Sequence, residues 1–111
     1  MRYQIVYSDA AQYDLLKIWN DIYEVSADMN TADSYIDGIM NAFKKKQSFP
    51  RSGSPLFYRG LFSGVYFIHY KAYMILYIVR DQTVEAARIL PVKTNYIKVL
   101  FPNPSEETAE N

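Results

Sequence analysis

Near the amino terminus Tyr3, Ile5 and Tyr7 fall on alternate positions around Gln4 and Val6, the period of a β-strand. The run stops at Ser8-Asp9, a good helix N-cap followed by an acid in the first turn. A strand therefore leads directly into a helix. Over SDAAQYDLLKIWNDIYEV the apolar residues Ala11, Leu15, Ile18, Ile22 and Val25 recur at steps of three and four, and Trp19 and Tyr23 widen the stripe. This predicts one buried face and an acidic back. SADMN breaks the pattern, and Asn30 with Asp33 three residues on resembles a capping box for a second helix whose stripe is Ala32, Ile36, Ile39 and Phe43. That helix should end near Ser48, before Phe49-Pro50. Two amphipathic helices with a short linker pack as an antiparallel hairpin.

PRSGSPLFYRG, rich in Pro, Gly and Ser, reads as a loop. GVYFIHY, YMILYIV and TVEAARIL then read as strands, with turns near Lys71-Ala72 and Asp81-Gln82. YMILYIV is apolar on both faces and so predicts a central strand covered on both sides. Pro91 should end the last strand, after which TNYIKVLF predicts a short helix with Tyr96, Val99 and Leu100 on one face. The expected fold is α+β, in the order β-α-α-β-β-β with a short C-terminal helix, the helical hairpin packed on a mainly antiparallel sheet. Residues 1–101 form the expected domain and residues 102–111 an acidic, disordered tail.

Composition changes this picture little. The chain has 111 residues, half of them apolar, and suits one folded domain. It lacks Cys, which removes disulfides, thiolate nucleophiles and Cys-based zinc sites. No apolar run approaches the ~18 residues of a membrane span and MRYQIVYSDA has no secretory core, so the expectation is a cytoplasmic protein.

Charge changes the picture more. The formal net charge is zero, yet residues 1–43 carry Arg2 and Lys17 against seven acids, and residues 44–104 carry ten basic groups against Asp81 and Glu85. The tail adds Glu106, Glu107 and Glu110. A positive latter half suggests an anionic partner, either nucleic acid or an acidic protein segment. Lys44, Lys45 and Lys46 suit the negative end of the second helix dipole and receive no site role.

Chemistry is sparse. His69 is the one histidine and the carboxylates lack ligand spacing, so no metal and no other cofactor is expected. His69 shares a strand face with Val65 and Phe67, where a packed or hydrogen-bonded histidine is expected in place of a catalytic one. The remaining constellation is Arg59, Arg80, Arg88, Lys93, Lys98 and Tyr96. The alternation puts Arg88 on the face of Val84, Ala86 and Leu90, and Arg80 on that of Met74, Leu76 and Ile78. The set is expected to surround one concavity able to hold an anion. Cleaving RNA through its 2′-hydroxyl needs a base and an acid as well as cations, and only the cations are plentiful.

The order of elements, the phrase SFPRSGSPLFYRG with Arg59, the helix starts YSDAAQYDLLKIW and TADSYIDGI, and the closing RIL…K.NY resemble the RelE/ParE superfamily of type II toxins. The resemblance spans Tyr3 to about Leu100 and implies a growth-inhibiting toxin neutralised by a cognate antitoxin, in an assembly such as a heterotetramer. It is closer to ParE, implying inhibition of DNA gyrase. The alternatives are a RelE-like, ribosome-dependent mRNA endonuclease and a non-toxic interaction module. For the endonuclease the resemblance implies Arg59, Arg80, Arg88, Lys93 and Tyr96 as catalytic residues; for binding it implies Arg59, Arg88, Lys93 and Lys98. Where many relatives have a His-Gly-Arg type turn before an acid and a Tyr, this chain has Pro91, Val92, Lys93, Asn95 and Tyr96. The loss of the His and the acid favours binding over cutting.

Overall fold

The computed structural model describes residues 2–102. The expected tail, beyond Pro102, lies outside the described residues. The chain runs β1 (Gln4–Tyr7), α1 (Asp9–Ser26), α2 (Met29–Lys44), two 3-10 turns (Lys45–Gln47 and Pro50–Ser52), β2 (Ser54–Tyr58), β3 (Leu61–Tyr70), β4 (Tyr73–Arg80), β5 (Thr83–Pro91) and α3 (Tyr96–Leu100). One sheet has the order β1-β5-β4-β3-β2, with β1 parallel to β5 and the other pairs antiparallel. The α+β class, the helical hairpin and the mainly antiparallel sheet are as the sequence predicts. The extra strand is β2, which forms within the segment that reads as a loop. Its Pro55 sits in the edge strand, where a missing N–H is tolerated.

Helix α1 begins where the sequence places it, with Ser8 Oγ accepting from the Ala11 N–H at 3.0 Å. It ends at Ala27, whose left-handed backbone (φ 55) returns its N–H to the Tyr23 carbonyl. The expected cap of α2 is corrected. Asp28, not Asn30, is the N-cap, and its carboxylate accepts from the Asn30 N–H and the Thr31 hydroxyl at 3.0 Å each. Asp33 instead accepts from Trp19 Nε1 at 2.8 Å, tying the two helices together. Val25, expected on the buried stripe, is 89% exposed in the last turn of α1.

Both faces of the sheet are covered, and β4 is central as its apolar run requires. On one face Ile75, Tyr77, Val84, Ala86 and Ile89 meet Ala11, Ile18, Ile39 and Phe43 of the helices. On the other Leu56, Val65, Met74, Leu76 and Leu90 meet Tyr96, Ile97, Leu100 and Phe101. The second cover is thus α3, which the sequence predicts as an element but not as the lid of that face. Between β2 and β3 the register shifts after Leu56, and Gly64, at φ 88, supplies the left-handed residue of this irregularity.

Tyr7 packs edge-on against Phe43 in the helix-side core. Burial pushes its hydroxyl from the ordinary 10.0 up to about 12. The folded state therefore resists ionisation more than the unfolded chain does, so this contribution is intact below pH 10 and is lost as pH rises from 10 to about 12. Burial also raises Tyr73 and Tyr77. Tyr7→Phe is expected to flatten, without abolishing, the fall of stability over that alkaline range, as read by urea titrations at successive pH values.

Candidate functional site

The site residues expected from sequence are drawn from four places. Arg88 is positioned by an irregularity in β5. Leu76 faces Arg88 and Tyr77 faces Ala86, which leaves Ala87 as an extra residue. The bulge reverses the alternation. Val84 and Ala86 point to the helices while Leu90 points to α3, so the expected shared face of Arg88 with Val84 and Ala86 is corrected. Strand β1 ends opposite Ala86, and α1 then takes over the open edge of β5. The Ser8 N–H donates to the Ala86 carbonyl, and Ser8 Oγ donates to that of Ala87.

One and a half turns further on, Asp14 meets the same edge. Its Oδ2 accepts from Arg88 Nε at 2.8 Å and from the Ile89 N–H at 2.9 Å, and its Oδ1 accepts from Arg88 Nη2 at 3.0 Å. Asp14 is buried; the Arg88 side chain is 31% exposed. The hydrogen bonds and charge of Asp14 hold the guanidinium above its ordinary range despite the desolvation that opposes them. Arg88 is thus committed to a carboxylate of its own chain. The residue missed by the sequence reading is Asp14. Its signal was present, because Asp14 falls on the buried stripe between Ala11 and Ile18 at helical spacing.

Arg80 does lie on the α3 face, in line with Met74, Leu76 and Ile78, but it closes the β4–β5 hairpin and reaches Glu85 Oε1 at 3.4 Å. Four residues of strand separate it from the Arg88 row, roughly 13 Å. Arg59 (φ 55) turns β2 into β3 with Gly60 (φ 80), and its guanidinium lies 5.3 Å from the centre of the Tyr58 ring. Tyr58 in turn stacks on Phe101 at 4.6 Å. The single hollow expected around all six residues is not assembled: Arg80 and Arg88 are each paired in separate rows.

Lys93 follows β5, and Tyr96 and Lys98 belong to α3. The Thr94 N–H closes a turn on the Pro91 carbonyl, leaving Lys93 exposed. Tyr96 starts the helix half-buried, its ring 6.3 Å from that of Phe67. Lys98 is exposed two residues on. Asn95 is the helix cap, its Oδ1 accepting from the Lys98 N–H at 3.3 Å. His69 touches the Phe67 ring at 5.6 Å but is otherwise exposed, so the expected packing is one-sided. Among the described residues no cluster of His or carboxylate side chains could hold a metal ion, and no helix is long and apolar enough to cross a membrane.

A different surface is conspicuous on the helices. Tyr13 and Leu16 of α1 are each about two-thirds exposed, and beside them Gln12, Leu15, Leu16, Trp19 and Ile36 line an apolar groove of about 340 Å³.

A helical hairpin on a five-stranded sheet, with an apolar groove outside and the arginines of β4 and β5 paired within the fold, describes a small α+β domain. Residues 5–96 match the sequence model of the ParE toxin of type II toxin–antitoxin systems, parDE, and the chain belongs to that family. No curated protein matches it significantly. Among solved structures it is similar to a chain of the chromosomal ParDE toxin–antitoxin system of P. aeruginosa, with 18% identity, TM-score 0.69, and coverage of 83% of this chain and 98% of that one. It is also similar to a chain of the RelBE2 toxin–antitoxin complex of Mycobacterium tuberculosis, with 20% identity, TM-score 0.58, and coverage of 85% and 95%. A copper-bound mutant toxin from Helicobacter pylori shares 15% identity at TM-score 0.51, with coverage of 81% and 94%. These likenesses extend the fold across both the ParE and RelE branches.

Proposed function

We propose that this chain is a cytoplasmic ParE-like toxin that arrests growth by inhibiting DNA gyrase through binding, without cutting RNA. The observation that carries this reading is the commitment of Arg88 to Asp14, together with Asn95 serving as a helix cap. The strand exit then offers Lys93 and Tyr96 but no paired acid and base. The match of residues 5–96 to the ParE family supports the same target. The test is a supercoiling assay with purified gyrase alongside translation on programmed ribosomes. The expected result is loss of supercoiling and accumulation of cleaved DNA, with the mRNA intact. Cut mRNA with normal supercoiling would instead establish the RelE-like endonuclease, and normal growth on induction would leave a non-toxic interaction module.

We also propose a cognate antitoxin as partner, seated on the apolar groove of α1 and α2. Its contact would cover Tyr13 and Leu16, which no other part of the described chain covers. An apolar anchor at the centre of such a contact carries ~2 kcal/mol or more of the binding energy. Leu16→Glu is therefore expected to weaken antitoxin binding at least ten-fold by calorimetry, while growth arrest by the variant alone is unchanged. Unaltered affinity would move the partner to another face.

A further inference from the structure

The stretch joining α2 to β2 carries charge that the proposed activity does not use. Residues 38–80 contain no Asp or Glu, and the first four cations of this stretch are Lys44, Lys45, Lys46 and Arg51. The fold adds Arg2, because the Tyr3 N–H donates to the Gln47 carbonyl at 3.0 Å and Arg2 Nη2 donates to Gln47 Oε1 at 3.2 Å. Lys46 Nζ donates to Ser52 Oγ at 2.7 Å, which draws the two 3-10 turns together, and Arg51 lines a cleft with Tyr3. None of the five cations has a carboxylate partner among the described residues. Asp37, which lines the adjacent groove with Lys44, is not paired with it. The crowding is felt: desolvation, then the charge of Lys45, lowers the Lys46 ammonium from its ordinary range. A helix dipole accounts for one cation in the last turn of α2. It does not account for Arg2 and Arg51, which arrive from elsewhere in the sequence.

The second feature is aromatic. Buried Pro50 anchors the turn and leaves the preceding Phe49 ring 71% exposed. Phe49, Tyr3, Pro50 and Arg51 line a cleft of about 360 Å³. That is at the small end of the ~300–1,000 Å³ found for small-molecule sites, with an aromatic residue and an arginine both in its lining. An acidic peptide would use the cations but has no need of an uncovered ring. A sugar-phosphate strand with unstacked bases uses both, phosphates on the cations and a base on the ring.

We propose that this surface, Arg2, Lys44, Lys45, Lys46 and Arg51 around the Phe49 ring, binds single-stranded nucleic acid.

The experiment measures fluorescence anisotropy of labelled oligo(dT) and oligo(U), about 15 nucleotides long to match known single-strand site sizes, titrated with the full chain at several salt concentrations. The wild type is expected to bind one or both strands, and the stronger arm identifies DNA or RNA. The variant Lys44→Gln/Lys45→Gln/Arg51→Gln is expected to bind more weakly and to lower the slope of log affinity against log salt by about 2, at ~0.7 per phosphate contact. Phe49→Ala is expected to weaken single-strand binding by about ten-fold, while leaving binding of a blunt duplex of equal length unchanged. Because the variants touch exposed groups, thermal melts should match the wild type. A bromouracil-substituted strand crosslinked to the wild type should label the peptide containing Phe49, which tests the surface without any substitution. Absence of binding at low salt, an unchanged slope in the triple variant, or crosslinks elsewhere would overturn the proposal. So would a poly-glutamate peptide that binds as tightly and depends equally on Phe49. The assay contains no gyrase, so its outcome is independent of the gyrase reading.

Discussion

Asp14→Ala is expected to lower the melting temperature by about 10–25 °C, the equivalent of ~3 kcal/mol in a domain of this size. The buried carboxylate accepts three hydrogen bonds, two from the Arg88 guanidinium and one from the Ile89 N–H. Truncation leaves that N–H with no acceptor in a buried part of β5, at a cost of about 1–3 kcal/mol. It also leaves the guanidinium of Arg88 without its counter-charge. Because Arg88 is 31% exposed, water recovers part of that second loss, which places the total toward the lower end of the range for broken buried pairs. The damage should be local in origin. Asp14 stands where β1 has ended and α1 must hold the open edge of β5, so the Ile89 amide should exchange hydrogen far faster in the variant. Asp14→Asn keeps one acceptor for Ile89 and should lose roughly half as much. Asp21→Ala is the control: its pair with Lys17 is half-exposed at 3.5 Å, and its removal should shift stability by less than ~1 kcal/mol. Thermal melts of the three variants check the order.

That ion pair also marks the boundary of what the sequence could convey. The helices were legible because their stripes have a helical period, and the central strand because seven apolar residues leave no polar face. β2 was not legible, since SGSPLFY carries turn residues and becomes a strand only by pairing with β3. The cap of α2 was misplaced by two residues because Asp28 and Asn30 both have capping side chains, and only the backbone decides between them. For the candidate site, the residue types were visible but their neighbours were not. Arg88 alone reads as a cation seeking an anion. Nothing in RILPVK reveals that Ala87 is an extra residue in the ladder, and a one-residue slip reassigns the face of everything beyond it. The cluster of Arg2 with Lys44, Lys45, Lys46 and Arg51 was invisible for a related reason, because backbone pairing of Tyr3 with Gln47 brings it together across the chain.

Arg88→Ala is expected to abolish growth arrest at 37 °C, but through loss of folded protein and not through loss of a reacting group. The change strands the Asp14 carboxylate, whose side chain is 6% exposed, with the Ile89 N–H as its remaining donor. Leaving an ion buried in this way costs about 3–5 kcal/mol, a large fraction of the stability of any small domain. A nuclease that used Arg88 on a phosphate would lose activity in the same variant, so the single substitution does not separate the two roles. The double variant Asp14→Asn/Arg88→Gln does. It removes both charges together. The side-chain carbonyl then present on α1 can accept from the Ile89 N–H, and the side-chain amide introduced on β5 can donate to the same oxygen. A neutral replacement of a buried pair is close to neutral in stability when its polar atoms are matched. With Arg88 acting within the fold, soluble protein, melting temperature and growth arrest should all return toward wild type. With Arg88 acting on RNA, the double variant should fold yet remain at least a hundred-fold less active, since no cation would face the phosphate. Growth curves after induction, read beside melting temperature and soluble yield, distinguish these outcomes.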